Sequence, residues 1–372
     1  MRLSPAGFLR PNVLGKLNDE ETQNIQTICP GVHLEFPVAP VDRHPIWGPI
    51  NSVRTGCSLD DEIRRTGSSG GVLSALALHL LETGQVDFVA QIAVSASDPL
   101  GNELQLSRTR EDVLRAAGSR YGPSAPLVRF EELLATGQRF AFIGKPCDVA
   151  AVRQLAAIDE RVGKQVRFLL SFMCAGVPSI KGTHEILKAL GVDAVGLKSF
   201  RYRGDGWPGM ARAVGADGRV AEMDYSKSWG TILNRHLQFR CKICPDGTGE
   251  FADVVCADAW YGKDGYPDFD ERDGRSLLLS RSQAGESLIR AAMQAGAIEA
   301  ASLPVEEIDR MQPYQLTRKQ LVLGRLLATR LRRGWGPQYR RLGLVKAALT
   351  ARPMAWLRNA IGTYRRAEGE TL

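Results

Sequence analysis

Nowhere in this chain do apolar residues run for the roughly 18 positions that a membrane-spanning helix takes. Met1-Arg2-Leu3-Ser4-Pro5 also lacks the apolar stretch of a secretory leader. A cytoplasmic protein is expected, one whose seven cysteines stay reduced and read better as metal ligands than as disulfides. Histidine is scarce, with five in 372 residues, so imidazole acid–base chemistry has few candidates. His79 falls inside an apolar helical pattern and reads as packed, while His184 and His236 have no carboxylate that the sequence sets beside them. Acidic residues are thin at the end of the chain. Residues 318–372 hold thirteen Lys and Arg against two Glu, so the overall +7 leaves residues 1–317 at a net −4. With a mildly acidic body, nucleic acid is not an expected partner.

What is present is the composition of a globular protein, 44% hydrophobic and 24% charged, in a chain longer than one core usually fills. Four parts are expected. Residues 1–50 carry seven prolines without clear periodicity and read as loop-rich, with Cys29-Pro30-Gly31 alone among them. Residues 51–190 alternate helical and strand patterns and predict an α/β part. Residues 191–310 form a second lobe with an antiparallel insertion, and 311–372 a basic helical tail. The fold class is therefore α/β (α+β), a mixed sheet with flanking helices.

The stretch that organises the reading is Gly144-Lys145-Pro146-Cys147-Asp148, after the apolar run Arg139–Ile143 and before a helical pattern at 148–157. A strand ending on Gly-x-Pro-Cys sets a thiol at the carboxyl edge of a sheet, where a helix N-terminus favours thiolate. The next strand pattern, 166–173, ends on Cys174, so two consecutive strands each deliver a thiol to one edge. Arg240-Cys241-Lys242-Ile243-Cys244 adds a Cys-x-x-Cys in a loop context. Cys147, Cys174, Cys241 and Cys244 supply the four ligands that zinc needs. Thiolates gathered from across a fold fit an iron-sulfur cluster better, and Cys256 stands in reserve.

Upstream, Arg64-Arg65-Thr66-Gly67-Ser68-Ser69-Gly70-Gly71 runs into a buried helical pattern at 72–81. Two serines and three glycines ahead of a helix leave backbone N–H groups open to an anion such as phosphate, or simply cap the helix. The stretch is neither a Walker loop nor a Gly-x-Gly-x-x-Gly turn. Gly118-Ser119-Arg120-Tyr121-Gly122 offers a guanidinium and a phenol ring between glycines, suited to a planar anionic ligand or to a solvated turn.

Taken in order, Thr66–Gly71, Gly118–Tyr121, Gly144–Cys147, Phe172-Met173-Cys174-Ala175-Gly176, Cys241–Cys244 and Ala252–Trp260 resemble the beta-subunit family of coenzyme F420 hydrogenase and dehydrogenase. That family also holds ferredoxin-dependent flavoproteins such as 7-hydroxymethyl chlorophyll a reductase and a divinyl chlorophyllide 8-vinyl reductase. The resemblance spans roughly residues 45–305 and implies an oxidoreductase with FAD and a 4Fe-4S cluster. By position, Thr66, Gly67, Ser68, Ser69, Gly70, Gly71, Ser119, Arg120 and Tyr121 would hold the FAD. Cys147, Cys174, Cys241 and Cys244 would hold the cluster. Asp258 and Trp260 resemble the family's Gly-Asp-x-Trp, with Ala257 in place of the glycine. Lys145, Asp148 and Tyr121 are the candidate proton donors.

Many relatives begin with a ferredoxin-like stretch for a second cluster, whose end Cys29-Pro30-Gly31 resembles. The expectation is either a separate ferredoxin-like donor, or another redox subunit, or a segment missing from the gene model. A small conjugated acceptor is implied, and homo-oligomerisation stays open. The tail, with leucines at 321, 323, 326, 327 and 331 among arginines and with Trp356 among Lys346, Arg352 and Arg358, suits docking on an anionic membrane or on an acidic protein. Two further readings remain, an electron-transfer subunit of a larger complex and a zinc-stabilised binding module without redox activity.

Overall fold

The structure, a computed structural model, describes residues 1–37, 43–263 and 266–367. The first helix, α1, Asp19–Ile28, lies inside the segment expected to be loop-rich. Its start is written locally. The Asn18 side chain accepts from the Glu21 N–H, and Glu21 reaches back to the Asn18 N–H, a capping box. None of its residues is buried, which is why no apolar periodicity announces it.

From residue 52 the body assembles in alternation. Strand β1 (Ser52–Ser58) leads to α2 (Val72–Glu82), then come β2 (Phe88–Val94) and β3 (Asn102–Ser107). Next are β4 (Phe140–Gly144), α3 (Pro146–Leu155), β5 (Val166–Phe172) and α4 (Ile180–Leu190). A small antiparallel sheet comes after them, β6 (Ser199–Arg201), β7 (Ala211–Val214) and β8 (Val220–Met223). Three more strands, β9 (Val254–Asp258), β10 (Ser276–Ser280) and β11 (Ile298–Ser302), return to the main sheet around α5 (Gln283–Gln294).

That sheet has eight strands in the order β11-β1-β10-β9-β5-β4-β2-β3. The four strands β2, β4, β5 and β9 pair in parallel, and antiparallel strands flank them on both sides. Mixed α/β is thus the architecture. Strands from residues 254–302 pair in the same sheet as strands from 52–172, so one sheet joins both halves of the body. The parallel centre is buried on both faces. Phe88 and Phe140 stack at 5.0 Å, and with Phe142 they have no exposed surface, each contributing roughly 1.5–3 kcal/mol of burial.

Parallel order positions the site, because it turns the carboxyl ends of β4, β5 and β9 to one edge. Over that edge lies the tail. Helix α6 (Pro313–Arg333) is followed by α7 (Leu344–Leu349) and α8 (Pro353–Arg366). Within the tail expected to be helical, residues 344–366 form two helices rather than one, because Pro353 has no N–H to continue α7 and instead opens α8. Gly324 of α6 leaves room for the Trp356 ring, which a Cβ would meet at 2.8 Å. Among the described residues no helix is long and apolar enough to cross a membrane.

Candidate functional site

Strand β4 ends at Gly144 and the chain turns at once into α3, so Cys147 occupies that helix's first turn. Strand β5 ends at Phe172, two residues before Cys174. Since Gly144 pairs with Ser171 in parallel register, both thiols leave the same sheet edge, as their sequence contexts predict. Cys241 and Cys244 come from a one-turn helix at Phe239–Lys242 and the loop after it. The Cys241 sulfur accepts from the Val177 N–H and from the Gln238 side-chain amide, each at 3.3 Å, which ties the pair to the segment behind Cys174.

These thiols act on one another. Burial raises Cys174, and Cys241 and Cys147 add to the rise. Burial likewise pushes Cys147 up to about 11, with Asp148 and Cys244 contributing. Helix position alone predicts the opposite, a lowered thiol pKa, and here loss of water outweighs the helix dipole. Cys256 differs: burial alone pushes it up to about 12, and no other thiol contributes. Among the described residues no three Cys, His, Asp or Glu side chains stand close enough to grip a single metal ion.

Buried cations surround the thiols. Arg318 of α6 donates to the carbonyls of Ala175 and Cys241 at 2.6 Å and of Cys174 at 3.3 Å. Burial works against its charge, but Tyr314, Cys244, Cys174 and Cys241 more than offset that. Arg240 behaves alike, held above its ordinary value by Cys147, Cys244, Tyr339 and Cys241 despite burial. Among the described residues neither guanidinium forms an ion pair with a carboxylate; Arg318 is held by carbonyls instead. Lys319, next on α6, donates to the Pro245 carbonyl at 2.8 Å and to Glu250 at 2.5 Å. Cys29 joins this edge: its thiol, with Cys244 and Cys147, acts on Tyr339.

Beside the thiols opens a cavity of about 510 Å³, lined by Gly67, Ser68, Ser69 and Gly71, by Ser119, Arg120 and Tyr121, and by Lys145, and reaching Cys174. Thr66 and Gly70 are not on its wall. The Thr66 hydroxyl donates to the Glu62 carbonyl, and the Gly70 N–H to the Ser276 hydroxyl. A Cβ on Gly70 would meet the Ser276 nitrogen at 2.7 Å and the Gly56 oxygen at 2.8 Å, so only glycine lets the loop lie against the sheet. Gly71, with φ +74°, then opens α2 with no capping side chain. An eleven-residue helix thus turns an uncapped N-terminus toward the cavity. Ser119 donates to Ser68 at 2.7 Å and fastens the two loops together. The Arg120 guanidinium is engaged internally, on Asn102 and the carbonyls of Phe200, Pro99 and Gly101. Lys145 pairs with Asp148 at 2.6 Å and donates to Ser124 at 2.8 Å.

The opposite wall is aromatic. Tyr121 lies 4.7 Å from Trp229, and Trp207 stacks on Trp260 at 4.8 Å. Between them Arg203, fully buried, makes a two-pronged pair with Asp258 at 2.6 and 2.9 Å, and Trp207 donates to the same carboxylate at 2.7 Å. The Arg203 guanidinium also stands over Tyr225 and Trp260. Sequence reasoning assigns no role to Arg203, Tyr225 or Trp229. The aromatic turn at 200–209 is a visible signal, but Arg203 gains its meaning from a carboxylate 55 residues away. No histidine lines the cavity. His79 is packed in the core, and His236, which the sequence leaves without a partner, pairs with Glu185 at 2.7 Å on the surface.

Two family models match this chain. Both describe the beta subunit of coenzyme F420 hydrogenase/dehydrogenase, its N-terminal part at residues 53–130 and its C-terminal part at 137–306. The coenzyme F420 hydrogenase subunit beta of Methanococcus voltae is 26% identical over 292 residues, 73% of this chain and 93% of that protein. The chloroplastic 7-hydroxymethyl chlorophyll a reductase of Oryza sativa subsp. japonica is 23% identical over 59% of this chain and 45% of its own length. A chain of the F420-reducing NiFe hydrogenase complex of Methanosarcina barkeri shares the fold, with a TM-score of 0.61 at 20% identity, covering 80% of this chain and 99% of that one.

Proposed function

Because the chain belongs to the coenzyme F420 hydrogenase/dehydrogenase beta-subunit family, whose members are electron-transfer components of oxidoreductases, we propose that it is an FAD- and iron-sulfur-dependent oxidoreductase. In this reading Cys147, Cys174, Cys241 and Cys244 hold a 4Fe-4S cluster and the cavity beside them holds the flavin. A small conjugated acceptor, coenzyme F420 or a compound like it, completes the path. The observation that carries the reading is the continuity of the cavity from the glycine loop at Gly67–Gly71 to Cys174. A cluster exchanges electrons singly and a flavin in pairs, so contact between their sites is what such a protein needs.

The residues fit both groups. A cubane spreads its thiolates over four iron corners, which is compatible with thiols that influence one another without gripping one ion. Four thiolates around such a core keep a net negative charge, and Arg240 and Arg318, which form no ion pair with a carboxylate among the described residues, offset it. At the flavin side the uncapped N-terminus of α2 suits the diphosphate, while Ser68 and Ser119 position the loops. Tyr121, Tyr225 and Trp229 offer flat apolar surface to a conjugated ring. Lys145, on the cavity wall beside Asp148, is the residue best positioned to hold a proton there.

The electron donor is a ferredoxin-like protein or another redox subunit. The relative from a hydrogenase complex favours the closely allied reading in which this chain is itself one subunit of such an assembly.

Anaerobic purification with iron, sulfide and flavin analysis tests the proposal. The wild type is expected to be brown, with iron, labile sulfide and FAD. Cys147→Ser and Cys241→Ser are expected to lose iron together while retaining flavin. A colourless zinc protein, or iron that persists in both variants, refutes it.

A further inference from the structure

The last fifty described residues present a face that the redox site does not use. Between residues 318 and 367 the sequence has thirteen Lys and Arg and no Asp or Glu. The family matches end at residue 306, ahead of this whole segment. Helix α8 packs inward through Trp356, Asn359 and Thr363, with Arg325 of α6 donating to Asn359 at 2.6 Å. Its other side carries Met354, Leu357, Ile361 and Tyr364, which are 69%, 48%, 46% and 37% exposed. The spacing i, i+3, i+7, i+10 lays these four along one stripe. A surface helix that turns an apolar stripe to solvent is not explained by its own core.

The neighbouring helices extend the pattern. Val345 and Leu349 are exposed on α7, and Leu327 and Leu331 on the second half of α6, with Trp335 exposed just beyond it. Arg330, Lys346, Arg352, Arg358, Arg365 and Arg366 are exposed among them. Large aliphatic side chains, an aromatic at each end and cations with no acidic residue between them match a bilayer surface. There the apolar groups enter the acyl boundary, Trp and Tyr sit at headgroup level, and Arg and Lys meet anionic phosphates. An acidic protein would use the charge but would leave the stripe of Met354, Leu357 and Ile361 unexplained.

We propose that α8, with the exposed ends of α6 and α7, rests this protein on an anionic lipid bilayer as a peripheral, non-spanning anchor. The full-length protein is sedimented with vesicles of phosphatidylcholine alone and with vesicles also containing a third phosphatidylglycerol, at low and high salt. Binding is expected only to the anionic vesicles and is weakened by salt. Replacing Leu357 and Ile361 together by Asp, or Arg358, Arg365 and Arg366 together by Gln, lowers the partition by about tenfold or more, given a several-fold contribution per group. Circular dichroism melting checks that both variants stay folded, as the exposure of these side chains leads one to expect. A second readout is independent of those variants: the emission of Trp335, taken as wild type minus Trp335→Phe, shifts to the blue on anionic vesicles. Equal binding to neutral vesicles, partition unchanged in both folded variants, or no vesicle binding, whatever acidic protein the chain retains, overturns the proposal.

Discussion

The two sides of the cavity handle buried positive charge in opposite ways. On the aromatic side Arg203 is locked by Asp258, with Trp207 donating to the same carboxylate, so the wall is neutral as it stands. On the thiol side Arg240 and Arg318 face carbonyls, phenols and sulfur, and among the described residues neither forms an ion pair with a carboxylate. A neutral, flat wall suits a conjugated ring that must come and go. A wall with unspent positive charge suits an anionic group that stays.

The largest effect should come from breaking the neutral side. Asp258→Asn leaves the Arg203 guanidinium buried without its counter-charge and is expected to cost about 3–5 kcal/mol, read as a large drop in melting temperature. If the protein melts as the wild type does, the aromatic wall is not held by that pair.

Arg318→Met tests the other side at a smaller cost. It strands the Cys241 carbonyl and leaves Ala175 only the Tyr314 hydroxyl at 3.1 Å, a loss of about 2 kcal/mol. Removing a cation near the thiols disfavours an added electron, so the midpoint potential in a redox titration of the iron-loaded protein should fall. An unchanged potential would mean that this charge is not seen by the electron.

Tyr225→Phe is the mildest probe. Its ring lies 4.7 Å from the Arg203 guanidinium, and losing only the hydroxyl should change stability by less than about 1 kcal/mol. The expected signature is a raised KM for a conjugated acceptor with the flavin spectrum unaltered. An altered flavin spectrum would put the aromatic wall on the flavin rather than on its partner.

Much of this contrast is legible in the sequence, but unevenly. The helix at 180–190 and the strands behind Cys147 and Cys174 are written in local periodicity, and because consecutive strands of an α/β sheet lie side by side, delivery of two thiols to one edge is a direct consequence. Helix α1 escapes because it buries nothing, and the break at Pro353 hides inside a basic apolar pattern. The buried cations are invisible for another reason. Arginines in an aromatic turn or a basic tail look like solvated charge until the fold sets Arg203 on Asp258 and Arg318 on the carbonyls of Cys174 and Ala175. Long-range pairing of this kind has no local signature.

Helix α6 spans about 30 Å at the usual rise per residue. Its first turns reach into the sulfur-lined pole and its last turns carry part of the outward apolar surface. It therefore works as a beam fixed at one end to the thiol-lined interior and joined at the other to α8, where Arg333 donates to the Ala367 carbonyl at 2.6 Å. A chain shortened at residue 312 would surrender more than a charged appendage. The carbonyls of Cys174, Ala175 and Cys241 would lose their donor in Arg318, and Glu250 would lose the ammonium of Lys319.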